Sequence, residues 1–236
     1  MGLFMALSGV IDAPRIDVQQ ALTDFAQARA GGLELAQGTT DDPNIGVITR
    51  AGKNTTVLYP DGFCDWDDAS KELSARLKKT VFSLHIHDGD LWMFLLFRDG
   101  EEIGRFNPIP SYWEELSDED KEKWKGDSEL ISGLIPTASS RSIAKYFVEW
   151  DPEQGGETKA YPDDEFATGD CWQMCDFMKK VGLDYPIGAN GSIDGDTFML
   201  WTKQFRLRKA QPKAQPLQPE QSPHPTQPSK PWWKLW

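Results

Sequence analysis

The stretch Val81-Phe-Ser-Leu-His-Ile-His87-Asp-Gly-Asp90-Leu-Trp-Met-Phe-Leu-Leu-Phe97-Arg-Asp-Gly100-Glu-Glu-Ile-Gly-Arg-Phe106 decides the fold. Two Asp-Gly pairs, Asp88-Gly89 and Asp99-Gly100, punctuate three largely apolar runs. Asp-Gly suits the two-residue turn with positive φ, whose twist matches that of paired strands. The stretch therefore predicts strands over 81–87, 91–97 and 102–106, joined by two hairpins. Side chains two apart on a strand share a face. His85 and His87 should project together, with Phe82, Leu84 and Ile86 pointing the other way. The run from Leu91 to Phe97 is apolar at every position, which predicts a strand buried on both faces.

Upstream of this stretch, Leu3 to Val10 reads as a strand. Val18, Ala21, Leu22, Phe25 and Ala26 fall on one helical stripe, with Asp17 as the expected cap and Gly31-Gly32 as the stop. Short strands follow over 33–36, 45–49 and 55–59. A second helix, about Trp66 to Lys78, carries Ala69, Leu73, Ala75 and Leu77. Asp67 and Asp68 lie near its positive end and Lys78-Lys79 near its negative end. Helix and three strands thus occur twice. A shift of 51 residues places Asp17 on Asp68, Leu22 on Leu73, Leu33 on Leu84 and Leu35 on Ile86. A duplication would give this pattern; any two amphipathic helix–strand units would align about as well.

Downstream, the character changes after Asn107-Pro-Ile-Pro110. Ser117-Asp-Glu-Asp120 reads as a capped acidic helix start. Leu130, Leu134, Ile143, Tyr146, Phe147 and Trp150 suggest two short helices around Pro136. A Gly-rich acidic loop leads to a helix near Thr168 to Val181 stopped by Gly182, and Thr197 to Leu207 reads as a last strand. The expected architecture is α+β, with an antiparallel sheet from residues 3–107 covered by two helices. This divides the chain into a sheet domain over 1–110, a mainly helical portion over 111–207 and a tail over 208–236. The tail composition of Pro, Gln, Lys and Ser cannot bury enough apolar surface to fold and reads as disordered. It ends in Pro231-Trp-Trp-Lys-Leu-Trp236.

Charge is divided unevenly. Residues 206–236 hold six basic side chains and one acidic, a charge of +5, whereas residues 1–205 hold 19 basic and 36 acidic, a charge of −17. So acidic a body repels phosphate backbones, arguing against nucleic acid as its partner. It suits a basic protein partner, or high solubility. Three cysteines, Cys64, Cys171 and Cys175, are too few for a disulfide framework and favour a reducing, cytoplasmic setting. The N-terminus lacks a basic signal-peptide region, and no apolar run is long enough to span a bilayer.

Several residue groups carry chemical potential. His85 and His87 have metal-ligand spacing on a strand, with Asp88 and Asp90 alongside. Zinc or iron would require at least a third protein ligand, from Cys64, Asp65, Glu72 or the Cys171/Cys175 pair. The same four residues, His85, His87, Asp88 and Asp90, are the candidates for acid–base or metal-assisted hydrolysis. The alternative is a pair of imidazoles hydrogen-bonded on a half-exposed sheet face. Asn190 to Asp196 resembles the start of a calcium loop, but its twelfth position falls on Trp201, where a bidentate Glu is required. Gly-x-Ser-x-Gly, Walker and dinucleotide fingerprints are absent from the sequence.

In the tail, Trp232, Trp233, Leu235 and Trp236 among Lys230 and Lys234 offer an aromatic tip for a partner groove or a membrane surface. The leading expectation is a non-catalytic, cofactor-free protein-binding module such as an adaptor, inhibitor or immunity-type protein. A hydrolase with a divalent metal at His85 and His87, and a peripheral membrane protein held by the tail, are the alternatives. Oligomeric state is not encoded in any of these features.

Overall fold

The computed structural model describes residues 2–39, 41–49, 52–154 and 156–207. The tail expected over 208–236 lies outside the described residues. Eight strands form one antiparallel sheet: β1 (Met5–Val10), β2 (Gly32–Leu35), β3 (Ile45–Thr49), β4 (Thr55–Leu58), β5 (Thr80–His87), β6 (Leu91–Arg98), β7 (Glu101–Phe106) and β8 (Gly195–Trp201). Their order across the sheet is β2-β8-β3-β4-β1-β5-β6-β7. The α+β architecture expected from the sequence is the one observed.

Both Asp-Gly turns form as the sequence predicts. Asp88 and Gly89 have φ of 53° and 75°, and Asp99 and Gly100 have 54° and 84°. These positive values at both central positions are what the two-residue hairpin turn demands. The register places His87 opposite Leu91 and Val81 opposite Phe97. Between β6 and β7 the register shifts at Leu96/Phe97.

The sheet is the middle of three layers. On one face lie α1 (Arg15–Ala28) and α2 (Trp66–Leu77), whose Val18, Leu22, Phe25, Ala69 and Leu73 pack with Val10, Val57, Val81 and Phe198 of the strands. On the other face, Phe82, Leu84, Ile86, Trp92, Phe94 and Leu96 meet α4 (Ser128–Leu134), α5 (Ser140–Ile143) and α6 (Gln173–Lys180) through Ile131, Ile143, Met174, Phe177 and Met178. The short acidic helix α3 (Asp118–Glu122) precedes them, capped by Ser117, whose side chain accepts the Asp120 N–H. β5 alternates between the layers, so Phe82, Leu84 and Ile86 enter one core while Val81, Ser83, His85 and His87 face α2.

Some expectations need correction. Helix α1 starts at Arg15 behind an extended Pro14, with Asp17 in its first turn and not at the cap. The Pro14 carbonyl accepts the Asp17 and Val18 N–H groups without a side-chain cap, and the Asp17 carboxylate still favours the positive helix end. Strand β1 begins at Met5 rather than Leu3. The helix expected over 168–181 is interrupted: Thr168–Asp170 is a 3-10 turn, Cys171 is left-handed with φ of 57°, and α6 starts at Gln173. On β6, Trp92, Phe94 and Leu96 are buried on one face, while on the other Phe97 is buried and Met93 and Leu95 are half-buried. This strand lies one place in from the sheet edge, not at its centre.

The sheet also extends beyond residue 107. β8, from the far end of the chain, inserts between β2 and β3 and pairs with both. It ends at Trp201, after which the Thr202 hydroxyl accepts the Gln204 and Phe205 N–H groups and turns the chain. The two helix–three-strand units agree in element order, but not in pairing. The second is an uninterrupted β5-β6-β7 meander, whereas the first is split by β8.

Candidate functional site

The end of the β5–β6 hairpin gathers aromatic side chains from four parts of the chain. Strand β5 supplies His85 and His87 on one face, two residues apart as its pleat requires. The chain before β1 runs alongside the hairpin turn: Gly2 N donates to Asp88 Oδ1 at 2.9 Å, and Gly89 N donates to the Leu3 carbonyl at 2.9 Å. These bonds carry Phe4 to an edge-on contact with His87, ring centroids 5.0 Å apart. The loop after β7 brings Tyr112 and Trp113 to the same imidazole, at 5.6 and 5.1 Å, both edge-on. The first residue of α2, Trp66, stacks on His85 with centroids 4.6 Å apart and planes 8° from parallel. A continuous aromatic row results, Trp66–His85–His87, ending among Phe4, Tyr112 and Trp113.

Burial falls steeply along this row. His85 is 7% exposed, whereas Phe4 is 51% and Trp113 53% exposed. Burial is the largest influence on His85 and lowers its pKa to about 4, reinforced by His87 and partly opposed by a backbone hydrogen bond to Met5. The His85 imidazole is therefore neutral near neutral pH. Its Nε2 lies 3.4 Å from His87 Nδ1, a long contact at best.

The two aspartates expected to serve the histidines are engaged elsewhere. Asp88 accepts the Gly2 N–H, and Asp90 accepts the Tyr112 hydroxyl. That bond is the main reason the Tyr112 phenol is pushed up to about 12, keeping it a donor. Of the further ligands suggested by the sequence, Asp65 is the residue that precedes α2, beside Trp66. Glu72 is held by Arg29 and Arg76. Cys171 belongs to the core on the opposite face of the sheet, together with Phe82 and Ile86, and its thiol donates to the Gly89 and Thr168 carbonyls. Burial pushes both the Cys171 and Cys175 thiols up to about 12, the behaviour of inert core cysteines. Cys64 is exposed, its thiol donating to the Gly62 carbonyl. Among the described residues, no group of three or more His, Cys, Asp and Glu side chains is arranged to hold a metal ion. His85 and His87 come together as the sequence implies, with neither a third ligand nor an orienting carboxylate among the described residues.

Beneath α2 the same face carries a buried polar row. Ser8 Oγ lies 2.6 Å from both Tyr59 Oη and Ser70 Oγ, and Ser83, paired with Ser8 across the sheet, donates to Asp67 Oδ1 at 2.7 Å. Burial raises the Asp67 pKa against the Ser83 hydrogen bond, and Asp68 and Glu102 add to the rise. This row fastens the first turn of α2, and with it Trp66, to the sheet.

Phe4, Trp66, Tyr112 and Trp113 were not singled out by the sequence. Tyr112-Trp113 carried a faint signal, as an aromatic pair in a Pro-rich loop with no strand or helix period to bury it. The tail residues Trp232, Trp233, Leu235 and Trp236 lie outside the described residues. Among the described residues, no helix is long and apolar enough to cross a membrane. No protein family matches the chain, and neither a curated protein nor a solved structure matches it.

Proposed function

We propose that the protein is a non-catalytic binding module for another protein, of the adaptor, inhibitor or immunity type, and that it engages its partner through the aromatic surface around His87. One observation carries this reading. The exposed large apolar side chains among the described residues are Leu3, Phe4, Ile16, Leu35 and Trp113, and three of these five sit at this one end of the hairpin. Scattered exposed apolar residues are ordinary, but a contiguous group rimmed by polar atoms marks an interaction surface. Rigid aromatic anchors are also the side chains that dominate binding energy in protein interfaces.

The rim adds chemical direction. Asp65 precedes Trp66, Asp88 and Asp90 flank the turn, and Glu114 follows Trp113. With a body charge of −17, these carboxylates favour a partner bearing lysine or arginine beside apolar groups, and they speed its approach. The neutral, stacked His85 serves as a rigid floor under the surface.

The test is capture of a partner from native lysate by the full chain, followed by affinity measurement with the purified partner. Phe4→Ala/Trp113→Ala should weaken binding by about 30-fold or more, the loss of a hot spot worth about 2 kcal/mol. Leu35→Ala, exposed on a different part of the sheet, should leave affinity unchanged. Equal affinity for the wild type and the double variant would remove this surface from the reading.

A further inference from the structure

We propose that the aromatic surface is the docking site for the protein's own C-terminal segment, Lys230–Trp236, which a partner must displace. The proposal rests on the binding role proposed above and names the ligand chemistry of that site: three indoles and a proline interspersed with two lysines.

Three observations support it. The first is where the described chain ends. Phe205 packs edge-on against Phe63, centroids 5.4 Å apart, and belongs to the core between the sheet and the α1–α2 layer. The exit is therefore on the side of the sheet that carries His85 and His87. Phe63 is three residues from Trp66, which begins the aromatic row. Phe63, Trp66 and Phe205 belong to one core, and Trp66 begins the row that runs through His85 and His87 to Trp113.

The second observation is length. Trp232 lies 25 positions along the chain from Leu207. A chain of that length has a root-mean-square span of about 25–30 Å even as a flexible coil. The segment can therefore reach the surface at an effective concentration in the millimolar range, far above that of a free partner.

The third is complementarity. The row presents ring faces and edges beside the carboxylates of Asp65, Asp88, Asp90 and Glu114. The segment Lys230-Pro-Trp-Trp-Lys-Leu-Trp236 brings three indoles, a proline and two ammonium groups. Proline-rich segments bind aromatic-lined grooves, and lysines are attracted both to aromatic faces and to flanking carboxylates. Ile16 and Leu35, the other exposed large apolar residues among those described, lie apart on α1 and β2.

Cys64 supplies a built-in probe. It is the exposed cysteine, two residues from Trp66, while Cys171 is buried and Cys175 is half-buried against the core. A nitroxide attached to Cys64 of the full chain should broaden the indole N–H resonances of Trp232, Trp233 and Trp236, assigned by single substitution. Phe4→Ala/Trp113→Ala should restore them while the other indole signals confirm the fold. Unbroadened tail indoles in the labelled chain would overturn the proposal. So would broadening of equal strength when the nitroxide and the isotope are carried by different copies, which would make the contact intermolecular.

The partner reading is judged separately. Trp232→Ala/Trp233→Ala/Trp236→Ala should raise partner affinity several-fold by freeing the surface, and unchanged affinity would overturn the displacement step. Broadening without any partner would retain the docking and discard the partner role; a partner without broadening would do the reverse.

Discussion

The two faces of strand β5 are built from alternate residues of one sequence, yet they do different work. Phe82, Leu84 and Ile86 enter a dry aromatic core in which Phe177 stacks on Phe94 with planes 3° from parallel and touches Phe82, Trp92, Tyr146 and Phe147. Ser83, His85 and His87 instead face α2 through hydroxyls, a carboxylate and imidazoles, and end at exposed rings. Apolar burial holds the first face and specifies little beyond volume. The second buries Ser83 and His85 as well, but fills its interior with directional contacts and opens to a surface only from His87 outward. Stability rests on the first side, and the recognition proposed above would rest on the second.

The most severe test of that division is Phe177→Ala. Removing a fully buried ring from the aromatic core should destabilise the protein by about 3–5 kcal/mol in urea unfolding. A cost below about 1 kcal/mol would deny that face its structural role.

Acid titration probes the opposite face. With its folded pKa lowered from 6.5 to about 4, His85 binds its proton more weakly in the folded chain than in the unfolded one. Its contribution is complete above pH 6.5 and is lost as pH falls toward 4, by up to about 3 kcal/mol. His85→Gln should flatten that part of the stability–pH curve, and an unchanged curve would refute the assignment. Asp67 has the opposite sign. Its raised folded pKa means that stability declines as pH rises from 3.8 through the folded value, and Asp67→Asn should abolish that decline.

A smaller loss is expected from Ser83→Ala, which leaves the part-buried Asp67 carboxylate without its donor and should cost about 1–2 kcal/mol. Least of all, Phe4→Ala/Trp113→Ala should change stability by less than about 1 kcal/mol while removing partner affinity. If this pair destabilised the fold as much as Phe177→Ala, the exposed rings would be part of the core and the comparison would collapse.

Much of this molecule was legible before its structure. The Asp-Gly pairs foretold both hairpins because few residue pairs tolerate positive φ twice in succession. The period-two alternation placed His85 and His87 together, since a strand's pleat leaves no other choice. Helix stripes such as Val18, Ala21, Leu22, Phe25 and Ala26 were equally plain, being set by the helical repeat.

What local pattern could not supply was adjacency between distant segments. Insertion of β8 between β2 and β3 depends on which edges remain unpaired after the rest of the sheet forms. The meeting of Phe4, Trp66, Tyr112 and Trp113 at His87 depends on a turn, a helix start and a loop converging in three dimensions. The sequence by itself determined the elements and which side of each strand a residue takes, because covalent geometry and sterics act over a few residues. Only the tertiary structure decided that a histidine pair of metal-ligand spacing would be stacked under tryptophan and boxed by rings, because packing joins residues that the chain keeps far apart.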